Sequence, residues 1–147
     1  MNHVRADLRD VPRGMEPANF VLLDAPCTGT GTLRGNPEIK LRLKPEAITQ
    51  AAALQRQMLH TAAALTAPGG LLLYAVCSLT QAEGPAVVED FLAASPAFSP
   101  ESTAGAAAPL LQGDAAGTVL KETSAGAWVI PEAGLDGFHL ALLRRAD

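Results

Sequence analysis

The feature that most constrains this chain is a pair of short, unbroken apolar runs, each of which leads into a cysteine. Residues 20–23 read FVLL and pass through Asp24, Ala25 and Pro26 to Cys27, while residues 71–76 read LLLYAV and end at Cys77. Runs of this length without polar alternation suit strands buried on both faces of a sheet. Between them Pro45 and Glu46 open a helical pattern, proline being favoured in the first turn and an acid meeting the positive end of the helix dipole. Ala47, Ala51, Leu54, Met58, Ala62 and Leu65 then recur at spacings of three and four, with Gln50, Arg56 and Gln57 mainly off that stripe. The segment APGG at 67–70 is expected to stop the helix. Strand, helix and strand in this order make a βαβ unit with parallel strands. Both thiols and Asp24 are therefore expected at one rim of the sheet, where open α/β sheets bind their ligands.

The remainder completes an α/β domain. A second helix is expected over 85–94 with Val87, Val88, Phe91 and Leu92 facing inward, and residues 95–117, rich in Pro, Ala, Gly and Ser, read as a mobile surface excursion. Apolar runs at 128–130 and 138–143 are expected to close the sheet as an antiparallel hairpin through PEAGLDG. The predicted architecture is a mostly parallel, partial Rossmann-like sheet with flanking helices and that carboxyl-terminal hairpin, in one domain of 147 residues. The apolar runs fall short of the roughly 20 residues that span a bilayer, and MNHVRADLRD lacks the apolar core of a secretory signal. A cytoplasmic protein with no membrane partner is expected, in which both cysteines are free thiols.

A net charge of −4 argues against a general nucleic-acid binder, yet the charge is unevenly placed. Arg34, Lys40, Arg42 and Lys44 face the single acid Glu38, so segment 34–44 carries +3 and the rest of the chain −7. A basic loop on an acidic body is a candidate phosphate contact, and equally a solvated loop.

Two thiols and a carboxylate at one rim suit nucleophilic addition to an electron-poor carbon. Cysteine is also a common small core residue, so either thiol alone has a structural reading. Other chemistries find less support. Zinc wants four ligands with close cysteine pairs, and His3, His60 and His139 are scattered, so no metal is expected. The glycines of GTGTLRG lack the Gly-Lys-Ser/Thr ending of a phosphate-binding loop and point to a tight turn or close approach. Ser78 has no nucleophile-elbow context. A dithiol redox role lacks a Cys-x-x-Cys pair.

The segments VLLDAPCTGTGTLRGNPEIK, LQRQMLHTAAALTAPGGLLLYAVCSLTQAEG and LDGFHLALL together resemble the Sun/Fmu/RsmB family of S-adenosylmethionine-dependent RNA (cytosine-5) methyltransferases. The likeness covers nearly all the chain except 95–119, which it leaves as an insertion. It implies that Cys77 adds to ring carbon 6 of cytosine, that Cys27 assists product release, and that Asp24 contacts both the base and the cofactor side. It further implies cofactor contacts at Asp7, in ADLRDVP, and at Pro26. The target base must then leave its stack, and Arg34, Lys40, Arg42 and Lys44 would hold the RNA backbone, ribosomal RNA before transfer RNA. Val76 stands where threonine is usual, Gly84 where asparagine is common, and Asn19 where aspartate is frequent.

The family's glycine-rich cofactor loop is not found in the chain, and APGG at 67–70 sits instead at the turn into the second strand. On this likeness residues 1–147 are expected to correspond to the carboxyl-terminal half of a catalytic domain. The edge of strand 20–23 would be left exposed, a place for self-association. A catalytically silent RNA-binding remnant is the alternative.

Overall fold

The helix that begins at Pro45 organises the domain, because it carries the chain from the first strand back to the start of the second. The computed structural model describes residues 5–9, 14–107, 119–130 and 135–147. Strand β1 (Ala18–Asp24) is followed by a 3-10 turn at Thr30–Thr32, the short helix α1 (Ile39–Arg42) and helix α2 (Pro45–Ala64). Strand β2 (Thr66–Val76) and helix α3 (Pro85–Ala94) come next. Strand β3 (Phe98–Glu101), helix α4 (Thr103–Ala107) and strands β4 (Val119–Thr123), β5 (Gly126–Ile130) and β6 (Phe138–Arg145) complete the chain. Both long helices start with proline, at Pro45 and Pro85.

The sheet runs in the order β1-β2-β6-β5-β4, with β3 also paired to β6. β1 and β2 are parallel, with Leu23 opposite Tyr74 and Asp24 opposite Ala75. The expected mostly parallel sheet is narrower than that: among the described strands β1–β2 is the parallel pairing, and β6 lies antiparallel to β2, β3 and β5. The reason is the hairpin, which returns β6 directly beside β2 and thereby sets every later pairing antiparallel. β6 divides its second edge, its first residues pairing with β5 and Leu142 to Arg145 with β3.

One face of the sheet is covered by α2 and α3. Leu23, Leu72, Tyr74, Val76 and Leu143 pack there against Leu59, Ala62, Val87, Val88 and Phe91. The inward stripe of α2 is Ala52, Gln55, Leu59 and Ala62; of the expected stripe Ala62 and Leu65 are buried and Met58 packs on the core, while Ala47, Ala51 and Leu54 lie one position off it. A polar side chain defines it, since Gln55 is fully buried and its amide is hydrogen-bonded. The opposite face is open. Phe20 and Leu22 are 54% and 58% exposed, so β1 is not buried on both faces. An apolar cleft of about 350 Å³ lies on that side, lined by Phe20, Leu71, Leu73, Leu140, Leu142 and helix α4.

Two further expectations change. APGG does not terminate the helix, which ends at Ala64; the segment forms the irregular start of β2, where the register with β1 shifts and Gly69 takes a φ of 69°. The excursion after Ser95 is regular structure up to residue 107. Phe98 packs edge-on against Phe91 at 5.2 Å, the Leu142 amide donates to Thr103 Oγ1 at 3.1 Å, and Arg144 pairs with Glu101. A sequence rich in small residues hides these contacts, and residues 108–118 lie outside those described.

His139 sits in β6 with no solvent exposure, between Tyr74 and Trp128. Neither ring nitrogen completes a hydrogen bond among the described residues. Burial pushes its pKa down to about 4, and the nearby Ala125 backbone offsets only part of that. The unfolded chain, with histidine near its ordinary 6.5, binds more protons than the folded one between pH 6.5 and 4. The stability that the neutral ring confers is complete above pH 6.5 and lost as pH falls. Urea titrations at pH 7 and pH 5 are expected to differ by about 2 kcal/mol from this residue alone, a difference that His139→Phe removes.

Candidate active site

Where β1 ends, Ala25 still donates to the Ala75 carbonyl at 2.9 Å, and Pro26, which has no amide hydrogen, ends the pairing. The loop that follows folds back over the end of β2. The Gly31 amide donates to the Cys77 carbonyl at 3.0 Å, and the Gly137 amide donates to the Gly31 carbonyl at 2.8 Å. Three distant segments therefore meet at Gly31, where an added Cβ would stand 1.9 Å from the Gly137 carbonyl oxygen. The glycines of GTGTLRG serve this close approach and, at Gly29 with a φ of 75°, a left-handed turn.

This crossing brings Cys27 Sγ within 2.8 Å of Cys77 Sγ, with both thiols partly accessible. Burial, together with the hydrogen bond to Cys77 and the charge of Glu83, pushes the Cys27 pKa up to about 12. Cys27 is thus protonated at neutral pH. Beside it opens a cleft of about 320 Å³ lined by Cys27, Thr28, Ile39, Arg42, Leu43, Ala47 and Ala51. Ala47 and Ala51, expected to face the sheet, form one wall of this cleft instead.

Asp24 stands at the end of β1 on the open face, exposed like Phe20 and Leu22 and without a hydrogen-bond partner among the described residues. Pro26 is exposed, and its carbonyl accepts from Gln55 Nε2 at 2.8 Å. Asp7 lines a separate open depression of about 620 Å³ with Arg5, Ala6, Leu8 and Met58. Its carboxylate is bound by the Arg9 side chain and amide, which lowers its pKa to about 2. Arg34, Lys40, Arg42 and Lys44 are all exposed around α1, and Arg42, which also borders the thiol cleft, approaches Glu38 at 3.7 Å.

Sequence reasoning missed the polar groups beneath the thiols. Glu83 is fully buried in the turn after Cys77. Its Oε2 accepts from the Thr28 amide at 2.8 Å and Gln55 Nε2 at 3.1 Å. Its Oε1 accepts from the hydroxyls of Ser78 at 2.7 Å, Thr80 at 3.1 Å and Thr28. Burial disfavours its charge, but the hydrogen bonds from Thr28, Ser78 and Gln55 outweigh burial and hold the pKa below the ordinary value. The one available signal was Gln55, a polar residue four positions before the core residue Leu59 on the same helical face. Gly84 leaves room for its neighbours, since a Cβ there would meet His139 Cγ at 2.8 Å and Trp128 at 3.0 Å.

Residues 1–144 match the family model described as 16S rRNA methyltransferase RsmB/F. The chain is 48% identical over 139 residues to ribosomal RNA small subunit methyltransferase B of Thermus thermophilus, covering 95% of this chain and 31% of that protein. The corresponding protein of Vibrio vulnificus is 36% identical over 129 residues, covering 87% of this chain and 26% of the relative. The chain thus spans about a third or less of these relatives. Among solved structures, PH0851 superposes with a TM-score of 0.79 at 34% identity, over 95% of this chain and 30% of that one. NSun6 from Pyrococcus horikoshii shares the fold with a TM-score of 0.75 at 24% identity, over 98% of this chain and 34% of its own. With a family match over nearly its whole length and the dithiol rim in place, the chain belongs to the RsmB/F family of 16S rRNA methyltransferases.

Proposed function

We propose that this chain carries the reacting thiols of an enzyme that methylates carbon 5 of cytosine in RNA, ribosomal RNA before transfer RNA, with S-adenosyl-L-methionine as methyl donor. The observation that supports this most is the pair of thiols 2.8 Å apart at the edge of a cleft bordered by a basic segment. Carbon 5 of cytosine is a weak nucleophile, and a thiolate that adds to carbon 6 makes it an enamine carbon. Cys77 Sγ forms the bond to carbon 6, and the electron pair of the 5,6 double bond becomes available at carbon 5. S-adenosyl-L-methionine supplies, when bound, an electrophilic methyl group on a sulfonium that departs as a thioether. The carbon 5 proton is then removed, the double bond re-forms, and Cys77 leaves as thiolate.

The protonation of the pair supports this division of labour. Cys27 keeps its proton at neutral pH and lies within hydrogen-bond distance of the Cys77 sulfur, which leaves Cys77 as the nucleophile of this reading. Cys27 can take the carbon 5 proton only as thiolate, so its own proton must first pass to solvent.

The residues present fit a cationic donor in part. Asp24 is an exposed carboxylate with no partner among the described residues, and Asp7 remains ionised well below neutral pH. Asp24 and Pro26 would hold the donor near the thiols and Asp7 its adenosine part. The flipped base would enter the cleft beside Cys27, with Arg34, Lys40, Arg42 and Lys44 on the phosphates.

Cys77→Ala is expected to abolish transfer of labelled methyl from S-adenosyl-L-methionine to small-subunit ribosomal RNA, by at least hundredfold. Cys27→Ala is expected to leave a protein–RNA adduct that survives a denaturing gel; full turnover by Cys77→Ala would overturn the mechanism. RNA affinity measured against salt is expected to lose about one unit of slope for each of Lys40→Ala and Lys44→Ala. RNA binding without any methyl transfer would favour the silent alternative.

A further inference from the structure

The proposed reaction assigns roles to Cys27, Cys77 and Asp24 but leaves unused a buried carboxylate directly below the thiols. Glu83 has no solvent exposure and no ion-pair partner among the described residues. A carboxylate in that position is normally neutralised or paired, since an isolated buried charge is costly. Here five donors surround it instead. They are the amide and hydroxyl of Thr28, the hydroxyls of Ser78 and Thr80, and the Gln55 amide.

The origin of those donors is informative. Thr28 immediately follows Cys27, and Ser78 immediately follows Cys77, so one carboxylate grips the residue after each cysteine. The grip is reinforced on every side. Thr30 Oγ1 meets Ser78 Oγ at 3.0 Å and accepts from the Leu79 amide at 2.9 Å. Gln55 Nε2 is shared between Glu83 and the carbonyl of Pro26, the residue before Cys27. From below, the Tyr74 hydroxyl donates to the Glu83 carbonyl at 2.6 Å and fixes its backbone.

We infer that Glu83 is a positioning residue for the dithiol: its carboxylate joins the loop after Cys27 to the turn after Cys77 and so holds the two sulfurs together. The inference rests on the reading of Cys27 and Cys77 as the reacting pair, but its physical content concerns the thiols alone. Oε1 draws its donors mostly from the Cys77 side and Oε2 from the Cys27 side and α2, so the two oxygens act as two ends of one clamp. Glutamine in the same place keeps the size but removes the charge and puts an NH₂ where an oxygen stood, which only hydroxyls that turn round to accept can meet. That substitution weakens the clamp by exchanging charge-assisted hydrogen bonds for neutral ones. The negative charge of Glu83 also contributes to the high proton affinity of Cys27, so its loss has a second, separable consequence.

Equilibration of the chain with glutathione and glutathione disulfide tests the clamp. Thiolate attack on glutathione disulfide releases one glutathione; the second cysteine closes the protein disulfide and releases another, the two cysteine protons going to the released glutathiones. The equilibrium constant reads the effective concentration of Cys27 and Cys77 toward each other. Glu83→Gln is expected to lower that constant at least tenfold, and to move the pH profile of Cys27 alkylation by iodoacetamide, followed by mass spectrometry, toward lower pH. Ser78→Ala, which removes one donor and keeps the charge, is expected to lower the constant by a smaller factor without moving the profile. Leu143→Ala, a core truncation on β6 that touches none of the clamp's hydrogen bonds, serves as the control for lost stability and is expected to change neither.

Parent-like constants in both folded Glu83→Gln and Ser78→Ala overturn the inference. So does an equal fall in Leu143→Ala. If Glu83→Gln does not fold, Ser78→Ala alone decides by the same criterion. Because neither readout involves RNA or a methyl donor, failure of methyl transfer with a clear Glu83 effect refutes the reaction and leaves the clamp standing.

Discussion

The site depends first on the parallel pairing of β1 with β2. That register places Asp24 opposite Ala75, and the hydrogen bond from Ala25 to the Ala75 carbonyl extends it to the last residue before Pro26. Two chain segments fifty residues apart are thereby aimed at the same rim. Helix α2 makes this possible by returning the chain along the face that buries Leu23, Leu72 and Tyr74. A parallel pair cannot be closed by a short turn, so the helix and the pairing require each other. Slippage of β1 by one residue would turn Leu23 to the open face and carry Cys27 away from Cys77.

Much of this was legible because it follows from local patterns. Continuous apolar runs marked β1 and β2, the proline-led stripes marked α2 and α3, and two late runs marked the hairpin. The meeting of the thiols followed from parallel strands alone. What stayed hidden was of two kinds. Strand β3 and helix α4 lie in a stretch of small residues whose order comes from long-range partners, Phe91, Leu142 and Arg144, which no local window contains. The polar network was hidden because burial of Gln55 and Glu83 contradicts their hydrophilicity. Only the donors that gather around Glu83 explain it, and they come from β1's loop, β2's turn and α2.

Glu83 and His139 show how the same burial has opposite results. Glu83 is surrounded by donors, so its charged form is the stable one and its pKa falls. His139 lies among rings with neither nitrogen satisfied, so its neutral form is the stable one and its pKa falls for the contrary reason. The two side chains are close neighbours in the fold: Tyr74 binds the Glu83 carbonyl and faces the His139 ring, and Gly84 leaves the space that this ring fills. A charged group is thus held immediately below the thiols while the layer behind it stays uncharged and apolar. A charge at His139 would face Trp128 and Tyr74 with no counterion, so neutrality there protects the packing under the site.

The division between fixed and free groups follows the chemistry. In the proposed reaction bond making at a carbon atom tolerates little misplacement, and the thiols are held by the backbone crossing at Gly31, by the Glu83 carboxylate and by the buried Tyr74. The proposed contact with a polyanion would ask for charge more than for geometry, and Arg34, Lys40 and Lys44 stand exposed on the loop and short helix beside the cleft. Arg42 belongs to both zones, since it borders the thiol cleft and also reaches Glu38. An exposed pair at 3.7 Å contributes little stability and is easily exchanged for a phosphate. The residue that links the cleft to the basic surface is therefore one whose present partner costs little to leave.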